Sequence, residues 1–88
     1  MKPYSSPFLS ILPSLDVHGY TRDTVRLVVS DFINDNIKLK NDKIVIIHGI
    51  GDKILSSEIR EYFKKDKRVN NLYISSENPG CSILELKL

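Results

Sequence analysis

The chain has 88 residues, 41% hydrophobic and 27% charged, with a formal net charge of +2. That suffices for one domain with a two-layer core, and the charge permits nucleic-acid binding without demanding it. No apolar run approaches a membrane span, Phe8 to Leu12 is too short and too interrupted for a signal peptide, and the single cysteine, Cys81, excludes an internal disulfide, so a cytoplasmic setting is expected.

Residues 1–14 hold three of the four prolines around Phe8, Leu9, Ile11 and Leu12, which reads as an extended N-terminal arm whose apolar side chains cover part of a sheet. The domain proper is expected over 15–88. Leu15 to His18 alternates apolar and polar residues and predicts a short first strand. Gly19 and Tyr20 turn the chain. Thr21 is a good N-cap, and Val25, Val28, Val29, Phe32, Ile33 and Ile37 then form one apolar face of a helix from about Arg22 to Ile37.

After the Asn41-Asp42 turn, the β-branched run Ile44 to Ile47 predicts a central strand covered on both faces. It stops at His48. Gly49 and Gly51 lead into a second helix carrying Leu55, Ile59, Tyr62 and Phe63 on one face. Asp52 near its start and Lys64, Lys65, Lys67 and Arg68 near its end suit the helix dipole. A third strand over about Val69 to Ser75, a turn with Asn78, Pro79 and Gly80, and a last strand from Ser82 to Leu88 complete the order β-α-β-α-β-β. In the last strand Leu84, Leu86 and Leu88 share one face.

Strands joined by a helix are normally parallel and often adjacent, so the ends of the first two strands should lie about 4.8 Å apart on one edge. His18-Gly19 and His48-Gly49, thirty residues apart in sequence, would then sit side by side on the edge where α/β sheets bind ligands. Asp16 and His18, two apart on a strand, point to one face. Gly49 to Gly51, opening a helix, offer amides to a phosphate-sized anion.

Leu-Asp-Val-His-Gly at 15–19, His-Gly-Ile-Gly at 48–51 and Asn-Pro-Gly-Cys-Ser-Ile-Leu-Glu-Leu at 78–86 resemble the Smr (small MutS-related) domain, over about residues 15–88. That family is found at the C-terminus of bacterial MutS2 proteins and as short chains, and Met1 with no ATPase region makes this chain resemble the stand-alone form. The resemblance implies an α/β fold: a two-layer sandwich with a mixed four-stranded sheet and two helices, similar to the C-terminal domain of bacterial translation initiation factor three. It implies nicking endonuclease or ribonuclease activity on DNA or RNA, with the Leu-Asp-x-His and His-Gly-x-Gly segments as the site. Asp52 and Lys53 stand where members often carry Thr-Gly, placing a carboxylate beside the expected phosphate, with Lys53 to offset it.

Phosphodiester cleavage needs a base, an acid and donors to the phosphate oxygens, and a histidine pair can supply the first two near neutral pH. His18 and His48 are accordingly expected as acid and base in either order. Asp16 either orients His18 or binds a metal; Gly19, Arg22, Gly49, Gly51 and Lys53 contact the phosphate. One aspartate and two histidines admit a divalent metal, magnesium or manganese, without selecting one. Tyr20 is the better candidate for base stacking, with Tyr62 and Phe63 read as core. Lys64 to Arg68, with Lys38, Lys40 and Lys43, read as a solvated rim at the far end of the sheet or as a second contact surface for a long nucleic acid. Two other readings stand beside the nuclease: a non-catalytic nucleic-acid or ribosome-binding module, and a protein-interaction domain that self-associates through the apolar arm; the chain itself is expected to be a monomer or weak homodimer.

Overall fold

Val25, Val29 and Ile33 recur every fourth residue, so a helix places them on one stripe, and all three are fully buried. Thr21 caps that helix, its Oγ1 accepting from the Thr24 amide at 3.2 Å. The computed structural model describes residues 11–51 and 53–88. Its elements are β1 (Ser14–Asp16), α1 (Arg22–Lys38), β2 (Lys43–Ile47), α2 (Lys53–Phe63), β3 (Val69–Ile74) and β4 (Cys81–Leu86). This is the expected β-α-β-α-β-β order. Among the described residues no helix is long and apolar enough to cross a membrane.

The strands form one mixed sheet in the order β1-β2-β4-β3. β1 and β2 pair in parallel, Leu15 opposite Ile46 and Asp16 opposite Ile47, while β4 runs antiparallel to both β2 and β3. Ile44 and Ile46 of β2 and Leu84 and Leu86 of β4 pack with the α1 stripe and with Leu55, Ile59 and Phe63 of α2. On the opposite sheet face Val45, Cys81 and Ile83 form a second buried cluster with Leu12, Ile47 and Tyr73. β2 is thus covered on both faces, as its unbroken β-branched run requires. Of the predicted arm, Leu12 packs in this second cluster; residues 1–10 lie outside the described residues.

Some expectations shift. β1 ends at Asp16, so His18 stands in a turn rather than on the strand. β4 ends at Leu86, leaving Leu88 exposed instead of continuing the apolar face. α2 ends at Phe63, so Lys64 to Arg68 follow it rather than close its last turn, and Asp52, expected near its start, lies outside the described residues. Tyr62 is half exposed: the Arg26 guanidinium lies 4.7 Å from its ring centroid, and Phe63 alone of the pair enters the core.

Candidate functional site

Val17 extends the parallel pairing, its amide donating to the Ile47 carbonyl at 2.8 Å, and this holds the two glycine turns together at the C-terminal edge of the sheet. A Cβ built on Gly49 would lie 3.7 Å from the Cβ of His18, so the two turns touch, as the adjacent parallel strands predict. Gly19, Gly49 and Gly51 all have φ between +80° and +95°, the left-handed region that an L side chain rarely enters. A third turn closes the group. The amides of His48 and Gly49 both donate to the Gly80 carbonyl at 3.0 Å, and a Cβ at Gly80 would meet the Ile50 amide nitrogen at 3.0 Å.

On this frame the two histidines take different roles. His18 has 71% of its side chain exposed, and its Nδ1 meets the Asp16 carboxylate, whose Oδ1 also accepts the His18 amide at 3.1 Å. A carboxylate only accepts, so in the neutral ring Nδ1 carries the proton and Nε2 presents a lone pair to solvent. His48 is 1% exposed. Its Nδ1 donates toward the Gly49 carbonyl at 3.2 Å, and its Nε2 lies 3.0 Å from Ser82 Oγ, whose hydroxyl supplies the hydrogen.

The side chains also part across the sheet. Asp16 is in register with Ile47 and, through it, with Cys81 of the second cluster; Ser82, the partner of His48, is in register with Ile46 on the helix side. Burial, with the Asp16 charge adding to it, pushes the Cys81 thiol up to about 11. The expected convergence therefore holds for the backbones and for Asp16 with His18, and is corrected for the His48 ring. The amide of Gly49, expected to face a phosphate, is taken by Gly80, and that of Lys53 donates to the Gly51 carbonyl at 3.1 Å.

Residues 15–82 match the family model described as the Smr domain. The chain belongs to the Smr domain family. Among similar proteins, endonuclease MutS2 of Caldanaerobacter subterraneus is 34% identical over 88% of this chain, and endonuclease MutS2 of Thermotoga petrophila 33% over 90%. The chain spans only about a tenth of the length of these relatives, 10% and 11%. The crystal structure of the Smr domain of Thermus thermophilus MutS2 superposes with a TM-score of 0.83 at 24% identity, covering 88% of this chain and all of that one, which shows the shared fold.

Within this Smr domain Arg22 and Lys53, the first residues of α1 and α2, are both exposed and line one groove of about 440 Å³ with Ile54, Ser57, Glu58 and Glu61. Tyr20 and Ile50 are exposed on the glycine turns, Ile50 at 72%. The far rim has another task. Arg68 binds Asp66 and reaches α1 through Ser30 and Asn34, which makes it a clamp between elements rather than a free cation. Among the described residues no three His, Cys, Asp or Glu side chains group as metal ligands. Sequence reasoning missed Ser82 and the Gly80 carbonyl as supports of the His48 turn. The Pro79-Gly80 pair was visible as a turn signal, but its contact with β2 depends on β4 inserting between β2 and β3.

Proposed function

We propose that this Smr domain binds nucleic acid along the edge formed by its glycine turns and cleaves the phosphodiester backbone there. His18 acts as the base, its Nε2 taking the proton of the attacking hydroxyl, which is water or, in RNA, the 2′-hydroxyl. Asp16 fixes the imidazole tautomer and stabilises the imidazolium that forms. As the phosphorus–oxygen bond to the leaving group breaks, Arg22 and Lys53 neutralise charge on the phosphate and on the leaving oxygen, which takes its proton from solvent, and the exposed turns at Gly19 and Gly51 let the strand approach closely. His48 supports the site from beneath through Ser82 and does not exchange protons with substrate.

The observation that carries this reading is the exposed, carboxylate-backed His18 lying against the Gly49 turn in a domain similar to the C-terminal part of proteins named endonuclease. A second reading, a nucleic-acid or ribosome-binding module without turnover, draws on the burial of His48, which leaves one imidazole facing solvent instead of an acid–base pair.

The test is cleavage of end-labelled single- and double-stranded DNA and RNA by wild type, His18→Ala and Asp16→Asn, with magnesium, with manganese and with chelator. Products that vanish in His18→Ala establish the base and name the substrate. Products unchanged in both variants overturn the site. No products from wild type, with tight salt-sensitive binding, leave the binding module.

A further inference from the structure

Along α2 the groove residues Lys53, Ile54, Ser57, Glu58 and Glu61 follow one helical face, since positions three and four apart are neighbours. Read from the N-terminus, that face runs from a cation through an exposed isoleucine, 68% accessible, and a serine to two carboxylates. The order opposes the helix dipole, which favours anions at the start and cations at the end. The groove's other cation, Arg22, belongs to the neighbouring α1. Glu58 is held by Arg26, which also stacks on Tyr62, so one wall is fixed. Glu61 is the more open carboxylate, at 66% side-chain exposure, with a surface ion pair to Lys64. Lys64 holds it below the usual carboxylate range, so it stays an acceptor.

We propose that the groove between α1 and α2 is a nucleotide subsite that favours guanine, with Arg22 and Lys53 on the phosphate, Ile54 against the base and Glu61 accepting from the base edge. This rests on the nucleic-acid reading above and deepens it. The rise from Lys53 to Glu61 is about 12 Å at 1.5 Å per residue, which suits one nucleotide from phosphate to base edge. A volume of about 440 Å³ accommodates it. Guanine carries N1–H and the N2 amino group side by side, two donors for one carboxylate. Uracil and thymine place N3–H between two carbonyl oxygens, which a carboxylate repels; adenine and cytosine offer an amino group beside a bare ring nitrogen. The same carboxylates bar a second phosphate from α2.

The experiment is amide-resolved NMR titration of the domain with each of the four ribonucleoside 5′-monophosphates and with inorganic phosphate. GMP is expected to shift Ile54, Ser57 and Glu61 and to bind about fivefold or more tighter than UMP, the low end for a two-donor contact. Inorganic phosphate should move Arg22 and Lys53 alone. In Glu61→Gln, GMP affinity should fall to that of UMP with the spectrum otherwise unchanged. Equal affinities for the four nucleotides, discrimination that survives Glu61→Gln, or GMP shifts confined to the Lys64–Arg68 rim would each overturn the proposal. A guanine-free oligonucleotide separates the two readings: failure to shift His18 and Gly49 counts against the nucleic-acid edge, whatever GMP does in the groove.

Discussion

Arg68→Ala should destabilise the domain and leave nucleic-acid binding untouched, although Arg68 ends the most basic stretch of the sequence. Its guanidinium makes five hydrogen bonds, two to Asp66, two to Ser30 and one to Asn34, tying the loop after α2 to α1. The side chains of Arg68 and Asp66 are only 27% and 17% exposed, so solvent screens the pair weakly. Bonds to charged groups contribute about 1.5–3 kcal/mol each but add poorly, and alanine leaves Asp66 with little beyond the Arg68 amide; a loss of about 2–4 kcal/mol follows. At about 4–8 °C per kcal/mol for a domain of this size, the thermal midpoint should fall by roughly 8–32 °C. The pairing holds the Asp66 carboxyl below its usual range, through the Arg68 side chain first. A depressed carboxyl pKa stabilises the fold above the unfolded value and loses that contribution as pH drops through the folded one. Wild type should therefore lose this contribution on acidification below about pH 4, and Asp66→Asn should lack that part of the acid limb. Calorimetry over pH checks both, with the salt slope of oligonucleotide affinity as the second readout: Lys53→Ala should reduce it by about one, and Arg68→Ala should not. A midpoint within 3 °C of wild type, approximately the measurement margin, together with a reduced salt slope for Arg68→Ala, would refute the clamp and make the rim a contact surface.

Gly80→Ala should cost about 1–3 kcal/mol and weaken nucleic-acid binding, because its Cβ would meet the Ile50 backbone at 3.0 Å and displace the carbonyl that holds His48 and Gly49; denaturant melts and binding on the same sample check it. Gly49→Ala should cost about 1–2 kcal/mol for a different reason, its φ of +95°, since the nearest contact of the new Cβ, 3.7 Å, is ordinary. Cys81 should resist alkylation in the folded domain: with its pKa at about 11, the thiolate fraction at pH 8 is on the order of one in a thousand, and burial hides the rest. Reaction within minutes, followed by mass, would mean that the second cluster opens readily.

The elements were legible because their patterns are local: the α1 stripe, the β-branched run of β2 and the glycine punctuation each announce themselves within a dozen residues. The contact between the glycine turns was legible too, since a right-handed crossover leaves parallel neighbours few alternatives. What a single sequence does not carry is register. Leu15 stands opposite Ile46 and Asp16 opposite Ile47, so Asp16 shares a face with Ile47 while Ile46 and His48 look to the helices. A slip of one residue would have put Asp16 and His48 on one face and built the expected pair. α2 ends at Phe63, its last side chain with a core to enter, and the lysines follow directly after it.

That division between the histidines makes the most informative comparison one of stability before activity. His18 is exposed and its ring touches Asp16 alone among the described hydrogen bonds, so His18→Ala should shift the thermal midpoint by only a degree or two, about the effect of an ordinary surface change. His48 fills buried space and meets Ser82 and the Gly49 carbonyl, so His48→Ala opens a cavity and strands a hydroxyl, at about 2–4 kcal/mol. Loss of cleavage in His48→Ala alone therefore says nothing about proton transfer. A catalytic His18 instead requires lost cleavage at an unchanged midpoint with retained binding. Were His48→Ala as stable as wild type, its ring would not be the support described.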